Sequence, residues 1–375
     1  MSSDYTVCCY YFPNYHVDPR NEKVHGKGWS EWELVKRGEP RLTGHQQPKV
    51  PFWGYTDESD PAQMAQKIAA AADHAVDVFL YDWYYYDDGP FIERGLEKGF
   101  LGAPNNSRMK FALMWANHDW YNIHPAKLRE RNNLLYPGRI KPETFKVITA
   151  HCINTYFKHP SYWLIEGRPY FSVYDLQKMI ESFGSVEATR EAFEAFRSDC
   201  RRAGLPGLHI NCVLWGQTIL PGEKIPANPV ELVRKLGFDS FTSYVWVHHG
   251  GLSKVPFSDY DACRDNYFAY WDRIVKEIPL PYYPNVTMGW DPSARVVQSE
   301  MYDFSGYPCT PILTGNTPER FKEALRLTRE RLDASVRGPK IMSINAWNEW
   351  TEGSYLEPDM INGMSYLEAI KAVFG

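Results

Sequence analysis

Short apolar runs rich in β-branched and aromatic residues alternate with segments whose apolar residues recur every three or four positions. The first pattern predicts strands and the second predicts amphipathic helices. Strands are predicted at Tyr5–Phe12, Val76–Tyr81, Lys110–Met114, Pro169–Val173, Leu208–Leu214, Ser240–Ser243, Tyr282–Val286 and Lys340–Asn345. Helices are predicted from about Pro61 to His74, Pro142 to Lys158, Val186 to Ala203, Pro229 to Leu236, Tyr260 to Ile278, Pro318 to Ser335 and Ser365 to Phe374. Asp60-Pro61 signals the first of these, with aspartate as cap and proline at the first helical position.

A helix after nearly every strand implies parallel strands joined by crossovers. Eight such units predict an α/β fold, a single (β/α)8 TIM barrel with long βα loops. No linker or shift of composition divides the chain, so residues 1–375 read as one catalytic domain. Active sites in this fold lie at the C-terminal ends of the strands. The predicted strand ends carry Tyr10 and Tyr11, Asp82 and Trp83, Trp115 and Asn117, Tyr174 and Asp175, Trp215, Tyr244, Trp290 and Asp291, and Asn348 and Glu349. Polar and aromatic residues thus recur at one end of the barrel, which core packing alone does not explain.

Composition sharpens this. Aromatic residues make up 15% of the chain, and many stand beside Asn, Asp, His or Glu rather than in apolar runs. Flat faces with polar neighbours suit a ligand that is part apolar and part hydroxyl, such as a sugar. The net charge of −5 includes no basic block, which argues against nucleic acid as a partner. No run reaches the roughly 18 apolar residues of a membrane span. The seven cysteines are scattered, with no C-x-x-C, so neither a zinc ribbon nor a disulfide framework is expected. That pattern, and an N-terminus without a basic leader, favour a reducing cytoplasm; a periplasmic or secreted protein stripped of its signal would look the same.

The densest chemistry follows the last strand, in Asn345-Ala-Trp-Asn-Glu-Trp-Thr-Glu-Gly353. Glu349 and Glu352 are three apart, which in a turn places both carboxylates on one face, roughly 5–6 Å apart at Cβ. Like charges at short range push one carboxyl towards its protonated form. An acid and a base result, the pair that breaks a glycosidic bond. Around them, Trp83, Trp115, Trp215 and Trp290 are candidate sugar platforms. Asn117, His118 and Asn348 are candidate hydroxyl ligands. Tyr244 is placed near the anomeric centre and Tyr10 and Tyr11 at the floor. Asp82 or Asp291 is a candidate third carboxylate.

Tyr10-Tyr-Phe-Pro13 with His16, Gly28-Trp-Ser-Glu-Trp32, Gly44-His-Gln-Gln-Pro48, Trp115-Ala-Asn117 and the Asn345–Gly353 stretch together resemble the WbsX-like, glycoside hydrolase family 99-like domains. The resemblance runs from residue 10 to about residue 358. It implies a (β/α)8 barrel acting on glycan or polysaccharide, without a cofactor. It also implies cleavage of an α-linkage with retention, through a 1,2-anhydro sugar formed by the substrate's own 2-hydroxyl. In that scheme Glu349 deprotonates the 2-hydroxyl, while Glu352 protonates the leaving oxygen and later activates water. The conventional alternative makes one glutamate a covalent nucleophile. The chain departs from the family pattern at His118-Asp119, where Glu-Asn is usual.

Three competing readings carry their own signatures. A nucleotide-sugar transferase, suggested by the polysaccharide-synthesis setting of WbsX-like domains, would use a metal-binding D-x-D, and Asp259-Tyr260-Asp261 has those letters. Its place at a predicted helix start makes it a cap instead. A metal hydrolase would draw on His118, Asp119, His124 or His248-His249, none in an H-E-x-x-H arrangement. A non-catalytic sugar-binding module would keep the aromatics without needing the glutamate pair.

Overall fold

Eight parallel strand units form the ring of a barrel. They are β1 (Tyr5–Tyr11), β2 (Val78–Tyr86), β3 (Lys110–Trp115), β4 (Arg168–Val173), β5 (His209–Val213), β6 (Ser240–Thr242), β7 (Tyr282–Tyr283 and Asn285–Thr287) and β8 (Lys340–Asn345). The structure is a computed structural model and describes residues 4–130, 132–335 and 337–375. Each strand pairs in parallel with its sequence neighbour, and β1 pairs with β8, Val7 opposite Met342. The ring closes through β7. Its first piece pairs with β6 and its second with β8. Pro284 separates the pieces because proline has no N–H for the ladder. Its carbonyl still accepts from the Ser343 N–H at 2.8 Å, which carries the closure across the gap.

The predicted units are all present, and the differences are physical. β2 runs on to Tyr86, through the aromatic cluster expected to end it, because Tyr84–Tyr86 pair back onto Gly89–Phe91. The helix from Pro142 ends at His151 and continues as a π-helical turn over Cys152–Tyr156. An unpredicted helix, Leu176–Phe183, is capped by Asp175, whose side chain accepts from the Lys178 N–H, and ends at Gly184 with φ of 83°. Between β2 and β3 the crossover is a π-helical turn, Gly95–Phe100, rather than an α-helix.

Strand alternation sorts the side chains into two layers. Inside the barrel, Ser172, Asn211, Ser240 and His209 form a hydrogen-bonded plug: Ser172 Oγ donates to Asn211 Oδ1 at 2.9 Å, and Asn211 Nδ2 donates to Ser240 Oγ at 2.8 Å. Outside it, Phe79, Tyr81, Phe111 and Trp115 pack under the helices. All seven cysteines are buried free thiols. Among the described residues, no helix is long and apolar enough to cross a membrane.

Candidate active site

A pocket opens at the C-terminal end of the barrel. The space between its walls, open solvent at the mouth included, is about 660 Å³. Every strand unit sends a residue to its wall. Phe12 follows β1, Asp82 and Tyr84 come from β2, Met114 from β3, and Tyr174 follows β4. Leu220 follows β5, Tyr244 follows β6, Trp290 and Arg295 follow β7, and Glu349 and Glu352 follow β8.

The glutamates sit on a short excursion of the chain. Asn348–Glu349 pairs with Ser354–Tyr355 as a small hairpin, and Trp350–Glu352 makes a 3-10 turn between them. Gly353 ends the turn at φ of 62°, where an added Cβ would lie 2.6 Å from the Asp291 Cβ, so only glycine fits. The two tryptophans of the motif are anchors. Trp347 Nε1 donates to Glu357 Oε1 at 2.9 Å and Trp350 Nε1 donates to Glu357 Oε2 at 2.7 Å. Lys67, fully buried, pairs with the same carboxylate at 2.6 Å.

Arg295 ties the two glutamates together. Its Nη1 donates to Glu352 Oε1 at 2.6 Å and its Nη2 donates to Glu349 Oε2 at 2.9 Å. Tyr307 OH donates to Glu352 Oε1 at 2.7 Å, so that oxygen is an acceptor and any proton on Glu352 rides on Oε2. Burial pushes the Glu349 carboxyl well above its ordinary range, and the Glu352 charge adds to the shift while Arg295 opposes it. Asp82 is raised in the same way, chiefly by burial. Its Oδ2 accepts from Tyr244 OH at 2.8 Å, and that hydroxyl stands 3.5 Å from Glu349 Oε1. Of the two candidate third carboxylates, the pocket therefore holds Asp82. Asp291 is turned away, with Oδ2 2.9 Å from His45 Nε2 and accepting from Gln47 Nε2 at 2.8 Å. The G-H-Q-Q-P motif thus braces the loop after β7.

The far wall carries His118, His124 and His248. His124 stacks on Trp120 at 4.8 Å, and burial and Arg295 depress its pKa well below the usual value, which keeps the ring neutral. His118 Nδ1 lies 2.9 Å from the Asp119 carbonyl, so that nitrogen carries the proton. The Nε2 of His248 lies 3.7 Å from Glu223. The neutral imidazoles of His118 and His124 offer donors and acceptors to hydroxyl groups.

Of the catalytic pair and the ten sugar-binding candidates expected from the sequence, Glu349, Glu352, His118, Tyr244 and Trp290 line this pocket and seven do not. Tyr10 packs beneath Tyr244 at 4.6 Å, one layer below the floor. Tyr11, its neighbour on β1, points the opposite way and stacks on Tyr81 at 4.7 Å under the Pro61–Asp73 helix. Trp83 and Trp115 likewise face outwards, Trp83 towards His151 and Trp115 towards Phe145. Their neighbours Asp82, Tyr84, Met114 and Ala116 take the inward positions. Trp215 stands behind Tyr174 at 4.7 Å. Asn117 is a latch: its Nδ2 donates to the Asp175 carbonyl at 2.8 Å and its Oδ1 accepts from the Asp175 N–H at 2.7 Å. Asn348 clamps both backbone groups of Phe12, each at 2.8 Å. Sequence reasoning missed Arg295 and Glu31 as parts of the site. Glu31 stood inside the quoted G-W-S-E-W motif, whereas no local pattern marked Arg295.

The D-x-D carboxylates are engaged elsewhere. Asp259 caps the Tyr260–Glu277 helix and pairs with Arg320 at 3.0 Å, and Asp261 pairs with Arg264 at 2.9 Å.

A family model described as "Glycosyltransferase WbsX" matches residues 7–370. The chain belongs to this family. A relative, the uncharacterized protein WxcX of Xanthomonas campestris pv. campestris, is 25% identical over 98% of this chain and 49% of its own length. The chain thus spans about half the length of the curated relatives it matches. Among solved structures, a glycoside hydrolase-like protein aligns with a TM-score of 0.61 at 14% identity, covering 100% of this chain and 94% of that one. The GH99 endo-α-mannosidase of Bacteroides thetaiotaomicron aligns with a TM-score of 0.57 at 14% identity, covering 99% and 97%. At such identity the likeness is one of fold: this WbsX-family chain has the barrel of those glycosidases.

Proposed function

We propose that this chain is a glycoside hydrolase that cleaves an α-linked glycan, with Glu349 and Glu352 as its acid/base pair. One observation carries the reading. Two buried carboxylates share a single guanidinium at the mouth of a barrel, in a pocket walled by aromatic rings and histidines. Breaking a glycosidic bond requires a proton donor and a proton acceptor on either side of one oxygen or ring. A carboxyl raised towards the working pH is well matched to reversible proton transfer, and Glu349 has that environment.

Glu349 then takes the proton of the substrate's 2-hydroxyl, which attacks the anomeric carbon and gives a 1,2-anhydro sugar. Glu352 delivers a proton from Oε2 to the leaving oxygen and afterwards draws one from water, whose attack at the anomeric carbon opens the anhydro ring with net retention while Glu349 returns its proton to the 2-oxygen. Neither glutamate has to reach the anomeric carbon. Trp290 and the far wall hold the sugar ring, and residues 1–375 act as one catalytic unit. The endo-α-mannosidase named among the fold relatives makes α-mannosides the first substrates to try.

The transferase reading is kept because the family model's description names a glycosyltransferase. The two separate in a reducing-end assay on a panel of α-linked glycans without nucleotide sugars, wild type beside Glu352→Gln. Hydrolysis predicts new reducing ends from wild type and a loss of roughly 10²–10⁴-fold in the variant. Sugar transfer appearing only with nucleotide donors would replace the hydrolase with a transferase. Wild-type rates in Glu352→Gln would remove Glu352 from the chemistry.

A further inference from the structure

We propose that Arg295, anchored by Glu31, is the positioning residue for Glu349 and Glu352, fixing their separation and their electrostatic surroundings. The inference rests on the acid/base reading of that pair.

Arg295 ends the 3-10 turn Pro292–Arg295 after β7, far in sequence from both glutamates and from Glu31 in the loop after β1. It is buried, and its guanidinium lies 5.3 Å from the centre of the Phe12 ring. All three guanidinium nitrogens are engaged by the protein, in five hydrogen bonds. Nη1 donates to Glu352 and Tyr307, Nη2 donates to Glu349 at 2.9 Å, and Nε donates to both Thr351 Oγ1 at 2.8 Å and Glu31 Oε1 at 3.2 Å. The E-W-T-E turn is therefore gripped at residues 349, 351 and 352 by one rigid fork.

Glu31 completes the arm. It is fully buried, accepts from Asn14 Nδ2 at 2.5 Å and from Thr351 Oγ1, and faces Arg295 with Oε1. One cation thus stands among three carboxylates. The charged and titratable groups around Glu349 are Glu352, Arg295, Glu31, Asp82, Tyr244, Tyr84, Tyr15 and Tyr307. Only Arg295 among them is a cation. Removing it should raise the midpoint at which Glu349 titrates, and removing the Glu31 charge should lower it. A merely structural part would produce neither opposed shift.

The test follows the carboxyl carbon of Glu349 by carbon-13 NMR in full-length protein labelled at glutamate Cδ. The resonance is assigned as the one lost in Glu349→Gln. Arg295→Met is expected to move its midpoint up, and Glu31→Gln to move it down, each by about 1–3 pH units. Arg295→Lys keeps a charge without the planar fork. It is expected to shift the midpoint less than Arg295→Met, yet to lower kcat at least about tenfold on any glycan the wild type cleaves. Unchanged midpoints in folded Arg295→Lys and Glu31→Gln overturn the proposal, even if Arg295→Met fails to fold. The titration needs no substrate. A wild type that hydrolyses nothing while the midpoints still move in opposite directions would reject the hydrolase and keep the positioning arm.

Discussion

Lys67→Met tests how the catalytic turn is held. Lys67 lies on the inner face of the Pro61–Asp73 helix with its side chain fully buried, and its Nζ stands 2.6 Å from Glu357 Oε1. Methionine keeps the length and the apolar stem but leaves the Glu357 carboxylate with two neutral indole donors, Trp347 and Trp350. Removing one partner of a buried ion pair costs about 3–5 kcal/mol, because the remaining charge stays desolvated. For a chain of 375 residues, about 2.1 cal/mol/K of melting entropy per residue converts this to a Tm lower by about 4–6 °C. Calorimetry gives the Tm, and a urea midpoint gives an independent value. The double variant Lys67→Met with Glu357→Gln removes both charges while keeping an acceptor for an indole, so it should recover part of the loss. A single-variant Tm within about 1 °C of wild type would refute the buried-pair argument, as would a double-variant loss equal to the sum of the singles.

Glu349→Gln is expected to stabilise the fold at neutral and alkaline pH while abolishing turnover. Its folded pKa is raised by burial above the ordinary 4.5, so its favourable protonated state is present below that value and lost as pH rises through the folded pKa. The Tm difference from wild type should be largest near about pH 8 and narrow towards about pH 4; the reverse trend would contradict a raised pKa. Tyr244→Phe removes the hydroxyl between Asp82 and Glu349 and should lower kcat, whereas Trp83→Phe, on the outer face of β2, should leave KM unchanged. Steady-state kinetics separates the two, and a KM change in Trp83→Phe would place that ring in the substrate path. Asn117→Ala should cost about 1–3 kcal/mol, because it leaves the buried Asp175 N–H unpaired, and a urea titration reads the loss.

Much of the architecture was legible locally. Helix and strand periods, the Asp60-Pro61 start and the strand ends depend on residues close in sequence, and the barrel follows from eight repeats of one unit. Glu349 and Glu352 were legible for the same reason, since one turn holds both. The facing of Tyr10 against Tyr11, or Asp82 against Trp83, was not. Strand alternation requires that one of each pair points inwards, but which one depends on register against neighbours far away in the chain. Aromatic identity misled here: the large rings Trp83 and Trp115 pack beneath the outer helices, while Asp82 and Met114 face the pocket. Glu31 and Arg295 meet across 264 residues, and Lys67 meets Glu357 only because the Pro61–Asp73 helix lies beside the last loop. A sequence specifies such partners, yet only closure of the barrel brings them within hydrogen-bonding distance, because these bonds act over a few ångströms whatever the separation along the chain.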